Sequence, residues 1–298
     1  MPLELHSIDQ FDFHKSPVYG ICSIGNDIYS VGGDRQLLHY WKDGEDWLAE
    51  PIALLNHAGY ACLAHDNWLF VGDAQGQLYQ INRQEKSLIK IVQAHEGGIF
   101  KLLIHDDQII SVGQDGKLNI WKLDNLEMVR TMWISDQKLR DASWDDTSMK
   151  LALVGQDGVL RILHLPQLNE LYTSHAAVDG LTSVTYWCEK QTWITSSKSG
   201  KIIFWKEHTT SPLFEFQAHK GNIYRLIADE QHGILWTASI DKSIKAWQLK
   251  DLTQAGKWEN LGGIPMRSVN DIAIFHGDIL ISTGDNKKID LSKICFSK

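Results

Sequence analysis

With 298 residues, 43% of them hydrophobic and 22% charged, the chain can bury a sizeable core and has neither the composition of a disordered protein nor that of a membrane protein. Its formal net charge of −8 works against a broad basic face, and so against nucleic acid as a partner. No stretch approaches the roughly 20 apolar residues that span a bilayer. The start, Met1-Pro2-Leu3-Glu4-Leu5-His6, has no charged segment followed by an apolar one, so a soluble, cytoplasmic protein is expected.

Taken in chain order, the sequence opens with a strand-like segment over 3–9 and then repeats itself. Asp34-Arg35-Gln36-Leu37-Leu38-His39-Tyr40-Trp41 returns as Gln75-Gly76-Gln77-Leu78-Tyr79-Gln80-Ile81 and as Gly113-Gln114-Asp115-Gly116-Lys117-Leu118-Asn119-Ile120-Trp121, with ends 40 residues apart. Three more copies, ending at Leu163, Trp205 and Trp247, follow at intervals of 42. Gly284-Asp285-Asn286-Lys287-Lys288-Ile289-Asp290-Leu291-Ser292 makes the seventh copy; it and the first are read with one extra turn residue, which puts Trp41 and Ser292 at the position of Trp121. The repeats run approximately over 14–52, 57–93, 95–133, 136–173, 175–217, 219–260 and 264–298.

Within each repeat, apolar and polar residues alternate over short runs bounded by Gly, Asp and Asn, the period of half-buried strands; helical periodicity is not sustained anywhere. The third repeat predicts strands over Ile99–Ile104, Gln108–Val112, Leu118–Leu123 and Met128–Trp133. Four short strands every 40 or so residues make one blade of a β-propeller. Seven such units predict an all-β, seven-bladed propeller occupying 1–298 as a single domain.

The repeat resembles that of the WD40 family. His before the first strand, Ser or Thr on the second, Asp in the next turn and Trp on the third occur together as His14, Ser30, Asp34, Trp41; as His95, Ser111, Asp115, Trp121; and as His219, Thr237, Asp241, Trp247. The other repeats are partial copies: His57 stands with Gln75 and Ile81, Asp157 with Leu163, and His175 and Thr195 with Ser199 and Trp205. The resemblance implies that each full tetrad ties three strands together through buried hydrogen bonds, and that the N-terminal strand completes the seventh blade. It also implies an interaction scaffold for another protein or peptide, working at the channel mouth.

Chemistry of other kinds finds little support in the residues. The thirteen histidines show no HxH or HExxH spacing, and the four cysteines (Cys22, Cys62, Cys188, Cys295) are far apart in sequence. No metal or other cofactor is therefore expected, and the cysteines read as reduced structural thiols. His105-Asp106-Asp107 reads as a hairpin turn. No G-x-S-x-G nucleophile elbow is present, and glycine runs such as Val31-Gly32-Gly33-Asp34 are repeat turns rather than a phosphate loop. The alternative function is a propeller hydrolase or lyase using Asp141 and Asp271 on the innermost strands, against which stands their reading as unpaired, solvated rim residues.

Aligned first strands locate the candidate binding residues. Their second position reads Tyr19, Tyr60, Phe100, Arg140, Thr182, Tyr224 and Asn270. By the family resemblance this position lies at the channel mouth, where Tyr19, Tyr60 and Phe100 would come from adjacent blades and Tyr224 from another sector. Such rings would take a basic or aromatic peptide segment; the alternative is that they pack against neighbouring loops. Lys101, Arg140, Arg225 and Arg267 keep an acidic partner open. The turn residues Gln114, Gln156, Lys198, Ile240 and Gly284 form a second candidate surface, and Gly262-Gly263-Ile264-Pro265-Met266-Arg267 reads as either a lid or slack. The protein is expected to act as a monomer or as a subunit of a complex.

Overall fold

The computed structural model describes residues 3–145, 147–165, 167–176 and 179–296. Every regular element among them is a β-strand, and no helix is long and apolar enough to cross a membrane. The chain divides into two compact units.

Unit one, Phe11–Leu139 with Thr283–Ile289, holds three antiparallel four-stranded sheets. They are β2 (Val18–Ile24), β3 (Asp27–Gly32), β4 (Gln36–Asp43) and β5 (Asp46–Leu54); β6 (Gly59–His65), β7 (Trp68–Asp73), β8 (Gln77–Asn82) and β9 (Ser87–Gln93); and β10 (Ile99–His105), β11 (Gln108–Gly113), β12 (Lys117–Lys122) and β13 (Met128–Trp133). The strands expected in the third repeat match these to within a residue at each end. Asp66 and Asp106 start tight turns with φ of 49°, a conformation that Asp tolerates better than most residues, so His105-Asp106-Asp107 is indeed a hairpin turn.

Unit two, Met1–Gln10 with Arg140–Ser282 and Asp290–Lys298, holds four sheets. Three are consecutive: β14 (Leu139–Asp145) to β17 (Asn169–His175) through β15 (Lys150–Gly155) and β16 (Val159–His164); β18 (Leu181–Trp187) to β21 (Phe214–Gln217) through β19 (Thr192–Ser197) and β20 (Lys201–Lys206); and β22 (Ile223–Asp229) to β25 (Gln254–Trp258) through β23 (Ile234–Ser239) and β24 (Ile244–Gln248). The last sheet has the order β1 (Leu3–Phe11), β30 (Ile289–Phe296), β29 (Ile279–Gly284), β28 (Val269–Phe275), so the N-terminal strand supplies its fourth strand. Pairing there covers the edge that β30 would otherwise leave open.

The connection over 262–267 is neither lid nor slack. Glycines at φ 58° and 79° turn β26 (Asn260–Leu261) back on β27 (Ile264–Pro265), and the Met266 N–H donates to the Glu259 carbonyl at 2.8 Å. Leu261 and Met266 are buried in the cluster around Trp236 and Ile272.

Packing follows the alternation read in the sequence. Second and third strands are nearly wholly buried: Tyr29, Val31, Leu37, Leu69, Val71, Tyr79 and Ile81 form one cluster shared by the first two sheets. Trp193 and Trp205 anchor another, with Leu160, Ile162 and Leu181. Fourth strands face water on one side and leave Leu88, Ile89 and Trp133 exposed.

Three sheets are tied internally by a hydroxyl hub. In the third, His95 Nδ1 lies 2.8 Å from Asp115 Oδ1, His95 Nε2 lies 2.8 Å from Ser111 Oγ, and Trp121 Nε1–H donates to the same hydroxyl at 3.0 Å. Because an ionised carboxylate can only accept, Nδ1 carries the hydrogen that faces Asp115, Nε2 is left to accept from the Ser111 hydroxyl, and that hydroxyl accepts from the indole N–H. The sixth repeats this with His219, Asp241, Thr237 and Trp247 at 3.0, 2.6 and 3.3 Å.

In the first sheet, His14 reaches Asp34 at 3.0 Å and Ser30 Oγ at 2.7 Å, but the fourth member is Tyr40, whose hydroxyl lies 3.3 Å from Ser30 Oγ. Trp41 is corrected accordingly: no extra turn residue exists, Leu38 pairs with Ser30 as Asn119 does with Ser111, and Trp41 points to the other face, stacked on His39. In the seventh, the Lys288 N–H donates to Asn286 Oδ1, as that of Lys117 does to Asp115, so Asn286 rather than Asp285 fills the turn position.

Where the full tetrad is missing, other contacts tie the second, fourth and fifth sheets. His57 and His175 are exposed. In the second sheet Tyr79 OH donates to Asp73 at 3.0 Å and accepts from the Asn56 N–H at 2.9 Å. Arg161 pairs with Asp157 at 2.7 Å in the fourth, and Trp205 donates to Thr195 at 2.8 Å in the fifth.

Replacing Ser111 with Ala strands a buried indole N–H and an imidazole nitrogen, so Ser111→Ala should destabilise the protein by about 1–3 kcal/mol in urea denaturation. Burial lowers the pKa of His14 and His219 despite Asp34 and Asp241. Burial raises that of Asp115, but the hydrogen bonds from His95 and from the Glu96 and Lys117 N–H groups prevail and hold it at about 2. All three are depressed relative to the unfolded chain, so their stabilisation is full above the unfolded values and is lost on acidification. The urea midpoint should fall from about pH 6.5 downward as the histidines charge in the unfolded state, and Asp115→Asn should flatten the curve between the ordinary carboxylate value of 3.8 and about 2.

Candidate interaction site

The residues singled out at the second position of the first strands share a backbone device. In five sheets the register skips that residue: Val18 faces Gly32 and Gly20 faces Val31, with equivalent shifts between Gly59 and Ala61, Ile99 and Lys101, Leu181 and Ser183, and Ile223 and Arg225. Each skipped residue sits at a β-bulge, where the register shifts and the extra twist re-aims the side chain. This frees Tyr19, Tyr60, Phe100 and Tyr224 from the alternation of their strands, and all four are half-buried. Thr182 instead turns inward, buried, with its hydroxyl donated to the Ile223 carbonyl at 2.6 Å.

In unit one the bulged aromatics form a continuous row. Tyr19 and Tyr60 meet edge to face at 5.4 Å and 89°, and Tyr60 stacks on Phe100 at 5.9 Å and 13°. Both arrangements suit the ring quadrupoles and contribute about 0.5–1.5 kcal/mol per pair beyond area burial. Tyr60 also lies against Gly98, where an added Cβ would come within 3.0 Å of its ring. The rings thus pack on one another and on glycine backbone while keeping part of their surface in solvent. Lys101, next along β10, is half-buried. Gly98 had no signal of its own in the sequence, since its role is to leave space.

In unit two the third position of the first strands builds a charge network. Ser183 Oγ donates to Asp141 Oδ2 at 2.6 Å, the Val184 N–H donates to the same oxygen at 3.0 Å, and the Leu226 N–H donates to Ser183 Oγ at 3.2 Å. Arg225 holds Nη1 3.9 Å from Asp141 and Nε 3.3 Å from Asp271. Burial works to lower the Arg225 pKa, but the two carboxylates prevail and raise it. Asp141 and Asp271 are therefore not unpaired rim residues: Asp141 is 4% exposed and both carboxylates face Arg225. Arg225, expected as a partner contact, is engaged inside the protein. Arg140, Tyr224 and Asn270 are half-buried in this unit, Asn270 accepting from Ser268 Oγ at 3.0 Å, and Arg267 is exposed. Of the turn residues, Gln114, Gln156, Lys198 and Ile240 are exposed, whereas Gly284 is buried at the end of β29.

Comparison with known proteins can now be set beside this geometry. No family model matches the chain. It is 22% identical over 196 residues to WD repeat-containing protein 90 of Xenopus tropicalis and 21% identical over 209 residues to that of Mus musculus, covering 59% and 63% of the chain. Over 222 residues, 72% of the chain, it is 22% identical to zinc finger CCCH domain-containing protein 62 of Arabidopsis thaliana. The chain spans only 11%, 11% and 46% of these relatives. The WD40 β-propeller domain of Doa1 superposes with a TM-score of 0.85 at 14% identity, covering 97% of each chain. The chain has the fold of a WD40 β-propeller domain.

The seven sheets are thus the blades of a WD40 propeller, the last completed by the N-terminal strand. Among the described residues, no group of three or more His, Cys, Asp or Glu is placed to hold a metal ion. In this protein, Arg225→Leu should lower stability by about 3 kcal/mol in urea denaturation, because two carboxylates lose their shared counter-charge. Adding Asp271→Asn should restore part of that loss.

Proposed function

We propose that this WD40 propeller is a non-catalytic, cytoplasmic scaffold that holds a peptide segment of another protein on the row Tyr19, Tyr60 and Phe100. The stacked, half-buried rings carry this reading. They are fixed by bulges and by each other, so little side-chain entropy remains to be lost on binding. Their π faces favour a Lys or Arg of the partner, worth about 0.5–2 kcal/mol per ring, and the net charge of −8 attracts a basic segment rather than an acidic one. The WD40 fold and the WD repeat relatives support a protein partner.

The Asp141–Arg225–Asp271 network favours scaffolding over hydrolysis. Its carboxylates are held by a guanidinium and by backbone N–H groups of their own strands, not poised to exchange protons.

Affinity capture from the native host with wild type, Tyr60→Ala and Phe100→Ala tests the reading. Each variant should lose roughly tenfold in captured partner, the factor that corresponds to 1.4 kcal/mol, while Tm falls only by the few degrees that the lost ring pairs cost and the chain stays folded. Undiminished capture by both variants would move the binding surface to the blade sides or the opposite face.

A further inference from the structure

Two of the four cysteines, distant in sequence, meet in the fold. Cys22 on β2 and Cys62 on β6 place their Sγ atoms 2.8 Å apart, although they stand 40 positions apart in sequence. That is less than 1 Å beyond the about 2.05 Å of a covalent S–S bond. A second observation shows why they meet. The two strands converge so closely that a Cβ on Gly20 would lie 2.9 Å from the Tyr60 carbonyl and 3.3 Å from the Cys62 nitrogen. Both thiols are half-buried beside Tyr29, Val31, Leu69 and Val71, whereas Cys188 is exposed.

We propose that Cys22 and Cys62 are a redox pair that closes to a reversible disulfide by exchange with a low-molecular-weight disulfide such as oxidised glutathione. One thiolate attacks a glutathione sulfur, forming a mixed disulfide and releasing one glutathione. The other thiolate attacks the protein sulfur of that mixed disulfide and displaces the second. The protein gives up two electrons and two protons, and glutathione disulfide becomes two glutathiones. The reduced thiols read from the sequence are then one of two states. Disulfides in cytosolic proteins are characteristically of this transient, sensing kind. The bond joins the strands that carry Tyr19 and Tyr60, so it would fix the spacing between those two rings.

The test uses the full chain carrying Cys188→Ser and Cys295→Ser, titrated with reduced and oxidised glutathione, with alkylation and peptide mapping of the remaining thiols. The expected product is a cross-linked peptide pair containing Cys22 and Cys62, lacking two hydrogens, reversed by dithiothreitol, and accompanied by a Tm several degrees higher than that of the reduced chain. In Cys22→Ser, Cys62 should stop at the glutathione adduct. The proposal fails if the folded chain keeps both thiols alkylatable under oxidising ratios. It fails equally if each cysteine ends as its own glutathione adduct without the link.

Discussion

Close approach of neighbouring sheets at their inner strands is the constraint on which the other features depend. A Cβ at Gly59 would stand 2.6 Å from the Val31 side chain, and one at Gly72 would stand 2.6 Å from that of Ile99, so glycine backbone of one sheet rests directly on a side chain of the next. Interiors packed this densely do not yield by tenths of an ångström without loss. A large side chain on such a strand needs a way out of the contact, and the bulge at the second position provides it. The aromatic row and the meeting of Cys22 with Cys62 both follow from this geometry.

The two units use their inner strands differently. Gly20, Ala61 and Lys101 follow the bulged rings in unit one, and the first two are too small to reach across. In unit two, Asp141, Ser183, Arg225 and Asp271 occupy the same position and link successive first strands by hydrogen bonds and charge. The same position thus serves apolar contact in one unit and polar cross-linking in the other. The low local dielectric strengthens the polar version as long as all its members are satisfied.

Much of this was legible in the sequence because strand alternation and turn residues repeat with a fixed period, and period is a local property. The strands of the third repeat came out within a residue of their ends. Trp41 was misplaced because counting from one tryptophan to the next hides a one-residue difference that strand pairing exposes: Asp34 to Tyr40 and Asp115 to Trp121 are the same offset. Asp141 and Asp271 were misread because pairing with Arg225 joins strands separated by more than 40 residues, and no local pattern announces it. The aromatic residues were found by alignment, but their contacts with one another depend on how closely the sheets pack.

The hydroxyl hubs show that the ties between strands can be made by more than one set of residue types. Tyr40 stands in for an indole, Arg161 opposite Asp157 replaces an imidazole, and Tyr79 with Asp73 does without either. A pattern of histidine, aspartate and tryptophan at fixed positions fits the third and sixth sheets fully and the first only in part, since Tyr40 stands at its tryptophan position. The likeness of such a chain to other propellers lies in its shape, and its repeats are better counted from their folded form than by spelling.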